Sequence, residues 1–167
     1  MRIITPPANL PVTVEQFARQ RHVDDADAVL IGELLQAATS VVETATNRMI
    51  VPRRLTLGLP EGNWSRFWLP VAPVIGLADG AGTEIVTPFS EPWIARADAP
   101  DDTITVDVGY GTNDVVPAQL GQAILMLAME WHEAGITVEE TYTAPTLSFG
   151  FRRLVEQVRY RRPMVVA

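Results

Sequence analysis

Cysteine and lysine are both missing from this chain of 167 residues. Without a thiol there is no disulfide framework, no thiolate nucleophile and no zinc–thiolate site. Histidine is nearly missing as well. His22 and His132 are the only imidazoles, too few for a histidine-rich metal site within one chain. No uninterrupted apolar run reaches about 18 residues, the length that reads as a transmembrane helix. The opening Met1-Arg2-Ile3-Ile4-Thr5-Pro6-Pro7 has no apolar core segment, so no secretory signal is expected. Neither a G-x-S-x-G nucleophile elbow nor a phosphate-binding loop with its lysine is present. Much conventional enzymology is excluded by these absences, and no cofactor is expected.

What remains is a globular composition, 47% hydrophobic and 20% charged. A chain of this size buries roughly 70% of its unfolded surface, enough for a substantial core in one domain. Because lysine is absent, all 13 basic residues are arginine, set against 20 acids for a net charge of −7. The charge is uneven. Residues 146–167 hold five arginines and one acid, Glu156, while residues 1–145 carry a net −11. An acidic body repels phosphates and makes a poor general nucleic-acid binder. An acidic body with a basic end suits head-to-tail contact between copies, or docking of the basic end on an acidic partner. A solvated arginine face is the plainer alternative.

The first dozen residues are rich in proline and extended. Thr13-Val14-Glu15-Gln16 reads as a capping box that starts a short helix to about Arg21. Asp24, Asp25 and Asp27 are placed to cap a longer helix. Its apolar stripe runs Leu30, Ile31, Leu34, Leu35, Ala38, Val41, Val42 and Ala45, with Glu33, Gln36, Ser40 and Glu43 opposite. Asn47 follows as a left-handed cap. From Met49 short alternating stretches take over. Arg54 to Leu59 and Arg66 to Leu69 read as one hairpin, and Val74 to Leu77 with Glu84 to Val86 as a second. Residues 88–102 read as loop, Thr103 to Val108 as a further strand, and Gly109-Tyr110-Gly111 as a turn.

Helical periodicity returns at Pro117, with Leu120, Ala123, Ile124, Leu127, Ala128 and Trp131 on one stripe and Leu125 and Met129 on the other side. A helix apolar nearly all round needs more than one cover. Leu125 and Met129 are therefore expected at a contact between subunits. Gly135 ends this helix, 136–146 form a polar connector, and a last amphipathic helix follows. Its stripe is Leu147, Phe151, Leu154, Val155 and Val158, with most of the arginines off it.

The expected fold class is α+β: a helical bundle, with an N-terminal helix pair and two C-terminal helices, around a central antiparallel β-hairpin region. In domain terms, 1–145 form one body (helices within 13–48 and 117–135, β region 50–111) and 146–167 a C-terminal docking arm. No constellation singles itself out for chemistry. His132 in Glu130-Trp131-His132-Glu133 lacks the second histidine of a zincin helix and reads as structural or solvent-facing. Asp98, Asp101, Asp102 and Asp107 lack calcium-loop spacing. Trp64 and Trp68 read as packing residues.

Five phrases in series nevertheless form a pattern. They are Leu10-Pro11-Val12-Thr13 before a short helix, His22-Val23-Asp24-Asp25-Ala26-Asp27 before a long helix ending in Thr46-Asn47-Arg48, Leu69-Pro70-Val71-Ala72-Pro73-Val74, Val106-Asp107-Val108-Gly109-Tyr110-Gly111, and Val116-Pro117-Ala118-Gln119-Leu120 continuing to Trp131 and Glu133. In this order they resemble the head–tail connector (adaptor) proteins of long-tailed phages and gene-transfer agents. His132 stands where tyrosine is usual, and residues 78–102 match no phrase of that family.

The resemblance implies a non-enzymatic structural protein of the virion or gene-transfer-agent particle, made in the bacterial cytoplasm. It implies a dodecameric ring at the head–tail junction, a portal protein on one side and a stopper or tail-completion protein on the other. DNA would pass through the channel without sequence-specific binding, and no membrane is involved. By the same resemblance the C-terminal segment docks on the portal, which places Leu147, Phe151, Arg152, Arg153, Leu154, Arg159, Arg161 and Arg162 at that contact. Two other readings stay open: a small soluble enzyme or ligand-binding module using carboxylates in the β region, and a DNA-contacting regulator reading with the arginine helix.

Overall fold

The computed structural model describes residues 2–3, 10–21, 28–78, 84–87, 91–96, 99, 102–110, 115–135 and 148–163. Ten elements follow one another: β1 (Arg2–Ile3), α1 (Val14–Arg21), α2 (Ala28–Thr46), β2 (Arg53–Gly58), β3 (Arg66–Trp68), β4 (Val74–Leu77), β5 (Trp93–Ala95), β6 (Thr103–Val108), α3 (Ala118–Glu133) and α4 (Phe149–Val158). The α+β class and the two helix pairs are as the sequence implies. The chain divides into two compact units, each assembled from distant stretches.

The helical unit comprises 9–46 and 116–159. The capping box forms as expected: the Thr13 N–H donates to Gln16 Oε1 at 2.9 Å, and the Gln16 N–H donates to Thr13 Oγ1 at 3.2 Å. Two of the orphan donors at the start of α1 are thereby satisfied. The expected aspartate caps of α2 lie in 22–27, outside the described residues. Within the unit α2 packs on α3, α3 on α4, and α2 also meets α1 and α4.

The buried stripe of α2 is Ile31, Leu34, Leu35, Ala38, Thr39, Val42, Glu43 and Thr46. Glu43 was expected on the outer face and is buried instead. The cause is helical drift: past Leu35 the inward positions continue 39, 42, 43, 46 rather than 41 and 45. Two threonines enter without orphaning their hydroxyls, since Thr39 Oγ1 donates to the Leu35 carbonyl at 2.7 Å and Thr46 Oγ1 to the Val42 carbonyl at 2.6 Å. By length and composition α2 is apolar enough to cross a bilayer, even though Glu33 and Glu43 interrupt it. Its stripe is that of a bundle's core helix. After α2, Asn47 takes φ 54°, the left-handed cap expected of it.

Pro117 caps α3 from just outside it, and Gly135 leaves it with φ 67°. The Ser148 hydroxyl accepts the Phe151 N–H at 3.2 Å and starts α4. A Cβ on Gly150 would stand 2.9 Å from Met126 Cε, so α4 approaches α3 closely there. The expected boundary at 145/146 falls outside the described residues. α4 packs on α3 and α2 within the helical unit.

The β unit comprises 1–8, 47–115 and 160–167. Its larger sheet has the order β1–β2–β6–β4, all antiparallel, and its smaller sheet pairs β3 with β5. The two expected hairpins are not the pairings that form: β2 pairs with β6, and β4 with β6. β2, β3, β4 and β6 lie where alternation places them, whereas 84–86 contributes only a bridge from Val86 to Trp93; short turns do not dictate partners when a six-residue strand offers a longer apolar ladder. Leu55 faces Val106 and Leu57 faces Ile104 across β2–β6, all buried. The stretch 88–102, read as loop, contains β5. Trp93-Ile94-Ala95 alternates out, in, out, and its partner strand begins 27 residues earlier at Arg66.

Both sheets feed one core: Leu55, Leu57, Ile104, Val106 and Val108 from the larger, Phe67 and Ile94 from the smaller, and Met49, Leu69 and Val71 from connecting chain. Each fully enclosed aliphatic side chain contributes roughly 1.5–3 kcal/mol. Gly109 ends β6 with φ 109°, where a Cβ would meet the Pro52 backbone at 2.7 Å, so only glycine fits.

Candidate interaction surfaces

The chemistry-bearing candidates resolve into packing. His132 lies edge-on to Phe17 with ring centroids 5.6 Å apart, the structural role expected of it. Asp98 and Asp101 lie outside the described residues, and Asp102 is exposed. Asp107 is paired across the β2–β6 ladder: Arg54 Nε donates to Oδ1 at 2.9 Å and Nη2 to Oδ2 at 3.1 Å. That fork holds the Asp107 carboxyl below the usual carboxylate range. Among the described residues no group of three or more histidines and carboxylates is placed to hold a metal. A cavity of about 330 Å³ beside β4 is lined by Val74, Ile75, Gly76, Leu77, Glu84, Ile85 and Thr87. Among the described residues its one carboxylate is that of Glu84.

The residues expected at subunit and portal contacts are spread over different environments. Leu125 is 7% exposed in the single chain, enclosed before any neighbour arrives, and Met129 is half-buried. Leu147 lies outside the described residues. Phe151 is 1% exposed, so it anchors α4 rather than facing a partner, and Leu154 is half-buried. Arg152, Arg153, Arg159, Arg161 and Arg162 are exposed, together with Phe149 at the start of α4, whose surface is 80% exposed. The helix thus separates cleanly, with Phe151 and Val155 inward and the guanidinium groups outward.

After α4 the chain is tied to the β unit. Tyr160 is buried, and its phenol O–H donates to the Leu69 carbonyl at 2.9 Å. The Asn47 side-chain amide donates to the Tyr160 carbonyl at 3.2 Å. Burial, reinforced by the Glu91 carboxylate, pushes the Tyr160 phenol up to about 12. Two residues on, the Arg162 guanidinium sits 4.6 Å from the Phe67 ring centroid.

One surface escaped the sequence reading. Trp64 packs on Phe67 at 5.8 Å and donates its indole N–H to the Pro60 carbonyl at 2.9 Å, with the Arg96 guanidinium 5.3 Å from its ring. Trp68 lies opposite Trp93 at 6.2 Å, and Arg66 stacks 4.1 Å from Trp93 and 5.6 Å from Trp68. Arg66 meets Trp93 only because β5 pairs with β3, a pairing that the loop-like composition of 88–102 conceals. The alternation of Trp93-Ile94-Ala95 just after Pro92 was the available sign of a strand.

No protein-family model matches the chain, and no curated protein matches it. Solved structures do. A chain in the neck of an empty gene transfer agent particle, at six-fold symmetry, superposes with a TM-score of 0.74 at 21% identity, covering 98% of this chain and 96% of that one. A chain of the native gene transfer agent virion gives 0.72 at 22% identity with the same coverage, and one in the native neck at twelve-fold symmetry 0.70 at 24%. The agreement spans both units end to end. The chain therefore has the fold found in the neck of a gene transfer agent particle.

Proposed function

We propose that this chain is a non-enzymatic structural protein of a phage or gene-transfer-agent particle, located at the head–tail junction. Copies of it form a ring, twelve in number, between the portal and a stopper or tail-completion protein, and the ring extends the DNA channel. The observation that carries this reading is the full-length likeness of fold to neck chains, 98% of one and 96% of the other. Partial likeness would be compatible with a borrowed domain; likeness over every element favours the same part in an assembly.

The surface agrees. The helical unit carries eleven acids against five arginines and the β unit nine against eight. An acidic channel wall lets duplex DNA pass without sticking, because few cations replace its counterions. The exposed arginines of α4 and just beyond it, Arg152, Arg153, Arg159, Arg161 and Arg162, then dock on the portal, and Met129 with its half-buried surface contributes to a contact between copies. Phe151 supports the docking helix from inside.

Electron microscopy of particles carrying the chain tests the reading: it requires a ring of this fold directly beneath the portal. A neck without it, or a catalytic turnover by the isolated subunit, overturns the proposal.

A further inference from the structure

The two-stranded sheet β3–β5 has an outer face with no role in the core. Side chains on paired strands alternate between faces. Phe67 and Ile94, opposite one another, point into the core, so Arg66, Trp68 and Trp93 point outward. Trp68 and Trp93 are half-buried register partners, and exposed Arg66 lies over both. The guanidinium carbon lies over both rings, 4.1 Å from the Trp93 centroid and 5.6 Å from that of Trp68. Among the described residues Arg66 has no carboxylate partner; its contacts are the two rings. The result is a guanidinium held against two large aromatics. That is the composition of an interface hot spot, and its donor edge matches a carboxylate in a bidentate pair.

By sequence the same chain also carries charge of the opposite sign. The helical unit is net −6, and apart from Arg152, Arg153 and Arg159 it holds two arginines, Arg19 and Arg21. DNA is a poorer match for Arg66, because phosphates approaching it meet a chain of net charge −7. We infer that Arg66, Trp68 and Trp93 form one half of the contact between neighbouring copies, and that the acidic helical unit of the next copy forms the other. Unlike patches that meet head to tail generate a closed ring when the rotation between copies permits. The inference rests on the ring proposed above and names the face that each copy offers.

The test places a photo-cross-linking benzophenone amino acid at position 68 of the full chain, assembled into particles. The same probe at exposed Val115 and Phe149 serves as reference. Irradiation should give a chain-to-chain adduct from position 68, mapped by mass spectrometry to 9–46 or 116–159 of a second copy. Arg66→Glu should lower that yield at least tenfold while leaving the melting temperature and circular dichroism of the subunit unchanged. If position 68 gives no adduct, or adducts only to another particle protein or to DNA, while the reference positions join copies, the ring stands and this face is not part of it. If no position joins two copies, the ring itself falls and this inference with it.

Discussion

Tyr160 donates its phenolic O–H to the backbone carbonyl of Leu69, 91 residues earlier in the chain, at 2.9 Å. This bond and the Asn47 amide on the Tyr160 carbonyl fasten the segment after α4 to the β unit. Tyr160→Phe removes one buried bond and orphans part of its acceptor, so thermal or urea unfolding should register a loss of about 1 kcal/mol. Tyr160→Ala also opens a cavity and should cost roughly 3 kcal/mol. Because the folded-state value is raised to about 12 from 10.0, the stabilisation is complete below pH 10 and drains away as the pH rises toward 12. Ultraviolet titration of the folded protein should show a late phenol that Tyr160→Phe abolishes.

Arg54 and Asp107 form a bidentate pair across β2 and β6, with side chains 45% and 35% exposed. Solvent screens such a pair, so a double-mutant cycle with Arg54→Ala and Asp107→Ala should give a coupling of about 0.5–1 kcal/mol. The Asp107 carboxyl is held below its ordinary 3.8. Its contribution is therefore present above that pH and lost as the pH falls below it. A coupling that persists unchanged at pH 2 would contradict the assignment.

Gly109→Ala tests the end of β6. Its φ of 109° and the Pro52 backbone 2.7 Å from the added Cβ leave no room for adjustment by a side-chain rotation. A loss of at least about 2 kcal/mol is expected in denaturant unfolding. Wild-type stability in this variant would show that the turn had been misread.

The two sides of α4 should separate in experiment. Phe151→Ala should cost roughly 3–5 kcal/mol, since the ring is 1% exposed. Arg152→Glu with Arg153→Glu should change stability by less than about 0.5 kcal/mol per site while abolishing co-purification with the portal. Deleting the whole segment cannot make this distinction, because it removes Phe151 and Val155 from the helical unit along with the guanidiniums. Leu125→Asp belongs with Phe151: at 7% exposure it should unfold the subunit rather than merely block assembly.

The local chemistry of this chain was legible from its residues. The Thr13–Gln16 capping box, the left-handed Asn47 and the termination of α3 at Gly135 all depend on neighbours within a few positions. Periodicity located α2, α3 and α4 for the same reason. The functional reading likewise came from order: five phrases in series, matched by a fold likeness at 21–24% identity.

Partners in space were a different matter. Which strand pairs with β2, how far the stripe of α2 turns before Glu43 goes inside, and whether Phe151 faces a partner or a core were set by competition among distant segments for the same apolar surface. Such competition leaves no trace in local periodicity. The sequence alone determined the helices, most of the strands and the lopsided charge, because these are properties of short windows and simple counts. Only the tertiary structure decided that β3 and β5 meet and bring Arg66 against Trp93, because that contact joins residues 27 apart across an intervening strand that pairs elsewhere.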